Sequence, residues 1–235
     1  MPYRRLPNTD TARIKAMKTA LDKGKELPPQ KLAFQPKTVM KLERLLPRFE
    51  SNIHLYRHSL LLQNKYNQTY CEVIRKARLY LTHFIRVMNM AILRGEFPPE
   101  IRTYYDIGKD DNLIPALNTE NELVSWGRRI IEGEEFRVRK GGNPVTNPSI
   151  ALVKVRFESF LEALTYHNIL EKKTLDHIEK NVELRKETDE LILQIWNEIE
   201  NSHKMLPEED RKLRNEEYGI KYFLRKSEQV SDAGF

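Results

Sequence analysis

YCEVIRKARLYLTHFIRVMNMAILR, residues 70–94, places apolar side chains at Tyr70, Ile74, Ala77, Leu81, Phe84, Met88 and Ile92. Steps of three and four residues return each time to one side of a 3.6-residue helix, so the stretch reads as an amphipathic helix. The pattern extends backwards through Leu42, Leu45, Leu46, Phe49, Ile53, Tyr56 and Leu60, and from Lys37 to Arg94 there is no glycine and one proline, Pro47. Ser149 to Leu206 repeats the design with neither glycine nor proline, through Val153, Phe157, Phe160, Leu161 and Leu164, then Leu175, Ile178 and Val182, then Leu191, Ile192, Ile195, Trp196 and Ile199. Between the two, Gly95 to Pro148 holds six of the nine glycines and five of the twelve prolines. The chain is therefore helical block, irregular middle, helical block. The fold class that follows is all-α, an antiparallel bundle in a single domain over 1–235.

Each block carries a polar interruption. In 37–94 the run Gln63-Asn64-Lys65-Tyr66-Asn67-Gln68-Thr69 puts Gln63 and Asn67 where the stripe asks for apolar residues. A turn there makes the block a helical hairpin, more compact than a rod of about 87 Å at ~1.5 Å per residue. In 149–206 the weak points are Asn168 to Thr174 and Arg185 to Asp189, and a break at one of them makes a second hairpin. Four or more main helices result. Pro47 either kinks its helix or marks its start.

The flanking segments are shorter. Asn8, Thr9 or Asp10 caps a first helix whose apolar side is Ala12, Ile14, Met17, Ala20 and Leu21, ending at Gly24. In the middle, 95–148, a short helix follows Phe97-Pro98-Pro99, and another opens at Asn118-Thr119-Glu120 and ends near Gly133. Phe136 to Arg139 alternates like a strand with no partner, and Gly141-Gly142-Asn143-Pro144 is turn chemistry. A short helix over Leu213 to Phe223 and a frayed end at 227–235 complete the expectation.

Composition narrows the classes of function. The chain has 235 residues, 40% hydrophobic and 31% charged, in the range of a globular helical protein. The amino terminus has no apolar h-region and no apolar run approaches ~20 residues, so the expected location is cytoplasmic with no membrane partner. The one cysteine, Cys71, excludes an internal disulfide and reads as a small buried hydrophobe. The net charge of +6 divides unevenly: residues 1–94 hold 19 Lys and Arg against 6 Asp and Glu, and 95–235 hold 21 against 28. Such a division serves either attraction between the two parts or a basic surface for a polyanion.

Catalytic spacing is sparse. Glu200 and His203 form one Glu-x-x-His pair where a di-iron bundle needs two, and His54 and His58 lie one turn apart without a third ligand. No metal or cofactor is expected. No nucleophile elbow surrounds any serine. Arg137, Arg139, Lys140, Gly141 and Gly142 combine basic side chains with a glycine turn, a candidate anion or phosphate contact. Arg75, Lys76, Arg78 and Arg86 share a helix with Tyr70, Tyr80 and His83, a candidate nucleic-acid contact.

PYRRLPNTDTARIKAMKTA, ARLYLTHFIRVMNMAILRGE, WGRRIIEGE and KGGNPVTNPSIALVKV together resemble a group of bacterial helical proteins of unassigned function. The resemblance covers most of the chain and implies a free-standing bacterial cytoplasmic protein; it transfers no site. A looser likeness, on architecture alone, is to the four-helix proteins encoded in ribosomal RNA intervening sequences. The resulting expectation is a non-catalytic binding or assembly protein with a protein partner or self-association. The alternatives are a nucleic-acid-associated protein using residues 1–94, and an enzyme with a site near 137–143.

Overall fold

The computed structural model describes residues 3–109 and 113–223. The protein is all-α. Helices α1 (Asp10–Glu26), α2 (Pro36–Leu93), α3 (Glu120–Arg139), α4 (Ile150–Ser202) and α5 (Glu208–Glu217) are joined by 3₁₀ turns at Pro29–Lys31 and Pro99–Tyr105. Strands β1 (Tyr3–Arg4) and β2 (Tyr222–Phe223) pair antiparallel, Tyr3 opposite Phe223 and Arg4 opposite Tyr222. The expected frayed end at 227–235 lies outside the described residues.

Neither long block turns back on itself. α2 runs unbroken for 58 residues and α4 for 53, so the two expected hairpins are replaced by two continuous helices. The physical reason lies in the phase of the stripe. Across the polar run of α2 the inward positions are Ser59, Gln63, Tyr66 and Tyr70, so Gln63 faces inward as expected and Tyr66 takes the place expected of Asn67. Tyr66 meets Tyr166 edge-on at 4.7 Å and Tyr70 stacks on His167 at 4.2 Å. In α4 the inward positions Leu170, Thr174, His177, Asn181, Leu184 and Thr188 keep steps of four and three, with four polar residues among them. Asn52 answers from α2, its Nδ2 donating to Asn181 Oδ1 at 2.8 Å and to the His177 carbonyl at 3.2 Å. Polar side chains inside a helix pair are tolerated where they bond across it, and they fix register as a buried asparagine does in coiled coils.

The helices build two hydrophobic clusters, and the chain divides into two compact units. Unit 1, residues 1–59 and 174–235, packs α1 between the amino-terminal part of α2 and the carboxy-terminal part of α4. Met17, Leu42, Phe49, Ile192 and Ile199 are fully or almost fully buried there. Unit 2, residues 60–173, packs α3 along the other parts of the same two helices around Phe84, Met88, Tyr105, Leu123, Ile130 and Phe160. In each unit α2 and α4 run antiparallel: Thr38 bonds Glu198 and Arg48 pairs with Glu187 in unit 1, and Tyr66 and Tyr70 meet Tyr166 and His167 in unit 2.

Local chemistry sets the boundaries. Thr9 Oγ1 accepts from Ala12 N to cap α1, and Thr119 with Glu122 forms a reciprocal capping box on α3. The carboxylate of Glu198 closes the start of α2, accepting from Gln35 N at 2.9 Å and from Thr38 Oγ1 at 3.0 Å. Pro47 is exposed inside α2, which continues through it. α3 does not stop near Gly133 and the expected strand-like segment Phe136–Arg139 is helical. Gly133 belongs in the helix because a Cβ there would sit 2.2 Å from the Tyr104 carbonyl oxygen, so only glycine lets the 3₁₀ turn approach. The last helix precedes the position expected for it, and Tyr222–Phe223 is strand.

Candidate functional site: a basic recess in unit 1

Small residues on α1 open a recess in unit 1. Ala12, Ala16 and Thr19 follow one another by four and three residues on one face, with Lys15 among them. Gly219 follows the end of α5, and its φ of +85° lies in the left-handed region that a β-carbon disfavours. Gly219 N and Ile220 N return to the carbonyls of Glu216 and Asn215, so the chain reverses and carries Lys221 to Phe223 past α1. The resulting recess has a volume of 340 Å³.

Its base is apolar and its edge is cationic. Trp196, 3% exposed, and Ala16 lie at the bottom, with Leu6, Pro7 and Phe223 on the walls. Arg5, Lys15 and Lys221 complete the lining with Asn8, and all three cations are exposed. No acidic residue lines it. Among the described residues none of the three cations enters an ion pair, while neighbouring Arg4 pairs with Glu200 at 2.9 Å and Arg13 with Asp189 at 2.8 Å.

A hydrogen-bonded chain holds the strand pair beside the recess. Tyr222 OH donates to Glu200 Oε1 at 2.8 Å, Asn215 Nδ2 donates to Tyr222 OH at 2.8 Å, and His203 Nδ1 lies 2.8 Å from Asn215 Oδ1. Burial pushes the Tyr222 phenol up to about 12, and the Glu200 carboxylate adds to the rise. Glu200 and His203, the Glu-x-x-His pair of the sequence, are thus both occupied in tying chain segments together. His54 and His58 are exposed, and among the described residues no three of His, Cys, Asp and Glu gather to hold a metal ion.

Unit 2 holds a buried ionic cluster instead of an open anion site. Glu134 is 0% exposed and Arg137 4%. The Glu134 carboxylate accepts from Arg137 Nε at 2.8 Å, Arg137 Nη2 at 2.9 Å, Tyr105 OH at 2.5 Å and Val145 N at 2.9 Å. Burial alone would push this carboxyl up; the bonds from Arg137, Tyr105 and Val145 outweigh it and hold it below its ordinary range. Arg137 Nη2 also donates to the Asn143 carbonyl at 2.6 Å, and its guanidinium lies over Phe97 at 5.0 Å.

The five residues of the expected phosphate contact, Arg137 and Arg139 in the last turn of α3 and Lys140 to Gly142 after it, are each engaged within the chain. Arg137 is buried and committed to Glu134, Arg139 Nε donates to the Glu135 carbonyl, and Lys140 sits over the Phe136 ring. The amides of Lys140, Gly141 and Gly142 all donate to carbonyls of α3. They occupy the negative end of that helix, where an anion is disfavoured.

The basic positions on α2 divide. Arg75, Lys76 and Arg86 are exposed, while Arg78 is half-buried and donates to the Asn118 carbonyl at 3.0 Å. Tyr70 is 3% exposed with its hydroxyl on Glu120 and presents no open face, and Arg156 covers one face of the Tyr80 ring. Cys71 is exposed rather than buried, because Tyr70 takes the inward position and the next residue is turned about 100° away. Among the described residues no helix is long and apolar enough to cross a membrane.

Comparison with family models, with curated proteins and with solved structures found no match. The recess itself was not anticipated from sequence. The signal for it was the spacing of Ala12, Ala16 and Thr19 around Lys15, which places small side chains on a face that a helix packing tightly would fill.

Proposed function

We propose that this chain is a non-catalytic binding protein whose ligand seats in the recess of unit 1. The observation that carries the reading is the combination of an apolar base at Trp196 with polar groups at the edge, which is the usual make-up of a ligand pocket. At 340 Å³ the recess lies at the small end of the ~300–1,000 Å³ range of such pockets. The strongest ionic cluster, Glu134 with Arg137 and Tyr105, is saturated by its own members, which favours a structural duty there over proton transfer. A thermal-shift screen of small organic molecules tests the reading. A ligand at 100 times its Kd stabilises by about 2.7 kcal/mol and raises Tm by several degrees. Ala12→Leu, which fills the recess, abolishes the rise; a screen that moves Tm for no compound, or equally for the filled variant, overturns the reading.

A second reading rests on Arg75, Lys76 and Arg86, exposed within about three turns of α2 and free of ion pairs among the described residues. They support contact with a polyphosphate backbone. Retention on immobilised RNA or DNA at ~50 mM salt, lost as salt rises, is the expected behaviour, and no retention at that salt sinks it.

A further inference from the structure

We propose that the ligand of the recess is an amphipathic organic anion, an apolar body of on the order of ten non-hydrogen atoms ending in one carboxylate or phosphate group. The inference rests on the reading of the recess as a binding site and adds the chemical class. Its size follows from the volume: 340 Å³ is roughly the room of eleven liquid waters at about 30 Å³ each.

Charge decides the rest. Part of the positive charge of unit 1 is neutralised within it: Arg4 meets Glu200, Arg13 meets Asp10 and Asp189, Arg185 meets Asp10, Lys18 meets Glu50, and Arg48 meets Glu187. Arg5, Lys15 and Lys221 stand apart from this pairing, come from three separate segments, and line the same recess. Three like charges gathered at one opening repel one another, and an anion at their centre relieves that repulsion while pairing with each. An arginine adds the planar fork that suits carboxylate and phosphate alike. Below them the base offers the Trp196 ring and alanine methyls. An anionic head at the edge with an apolar body below satisfies both layers.

Fluorescence of Trp196 locates the binding. In the full chain carrying Trp126→Phe, Trp196 is the only tryptophan left. Octanoate, octyl phosphate and the neutral octanamide are titrated against it at ~50 and ~300 mM salt. Both or either of the anions is expected to change the emission with an affinity at least tenfold tighter than octanamide, weakening at the higher salt. The preference between octanoate and octyl phosphate identifies the head group. Arg5→Gln, Lys15→Gln and Lys221→Gln combined alter only exposed side chains. Circular dichroism verifies the fold, and the anion affinity is expected to fall at least tenfold with octanamide unchanged. Octanamide binding as tightly as the anions overturns the anion inference and leaves the recess as a site for neutral apolar molecules. Emission and Tm unmoved by all three probes overturn the inference, and the wider screen then decides the reading of the recess separately.

Discussion

Glu134→Gln removes one charge from the most enclosed ionic cluster of unit 2. Four donors converge on the carboxylate, from Arg137 Nε and Nη2, Tyr105 OH and Val145 N. A glutamine keeps a single acceptor oxygen and turns its NH₂ towards two of those donors. Two orphaned buried donors at about 1–3 kcal/mol each give roughly 2–6 kcal/mol. That brackets the ~3–5 kcal/mol expected when one partner of a buried ion pair is removed and the other stays charged. At about 2–4 °C per kcal/mol for a chain of this size, Tm falls by roughly 6–20 °C. Urea unfolding followed by circular dichroism measures the loss at pH 7. Because the folded carboxyl titrates below its unfolded value of 4.5, its stabilisation is complete above pH 4.5 and fades as pH falls through the folded value. The gap between native protein and variant therefore narrows in acid. Adding Arg137→Met removes the stranded charge and recovers part of the loss. A variant within ~1 kcal/mol of the native protein at pH 7, or a double variant less stable than the single one, refutes charge compensation as the role of the pair.

Three further outcomes follow from the helices and the recess. Lys65→Pro, at an exposed position inside α2, is expected to cost about 3 kcal/mol, where a hairpin turn at 63–69 would accept the proline nearly without cost; urea melts and helical ellipticity separate the two. Gly133→Ala places a methyl group 2.2 Å from the Tyr104 carbonyl oxygen and is expected to cost at least 1–3 kcal/mol, against a gain of up to ~1 kcal/mol for the same change in an open helix; a stabilised variant would contradict the close packing. Ala12→Leu fills an opening without touching the core and is expected to leave Tm within about 1 °C in the absence of ligand; a large loss would place Ala12 in the tightly packed interior instead.

Fold class was legible from the three- and four-residue steps because burying a stripe is a local requirement that any helical packing must meet. Helix continuity was not, since it depends on what faces each polar position. Asn181 looks like a defect in a stripe until Asn52 is placed opposite it, and Asn67 looks inward only while Tyr66 is placed on the outside. Gly133 resembled a helix end for a similar reason: its purpose, admitting Tyr104, resides in another segment. At the candidate sites, Arg137 shows the same limit. Its neighbours in sequence are basic and glycine-rich, but Glu134 one turn before it captures the guanidinium, and that spacing was visible. The recess needed Lys221 and Arg5 beside α1, a meeting of positions more than two hundred residues apart that no local pattern encodes.

The pairing of Tyr3 and Arg4 with Phe223 and Tyr222 has a consequence for the order of events during synthesis. Residues 60–173 are contiguous, so unit 2 has all its parts once that stretch has left the ribosome. Unit 1 begins earlier on the chain yet waits for α4 to finish and for residue 223 to emerge before its first strand finds a neighbour. Domains usually mature from the amino terminus onwards; here the earlier-made helix α1 must remain unsatisfied while the later stretch folds. Met17, Leu42 and Phe49, buried in the finished unit 1, lack their partners Ile192, Ile195 and Ile199 of α4 through that interval.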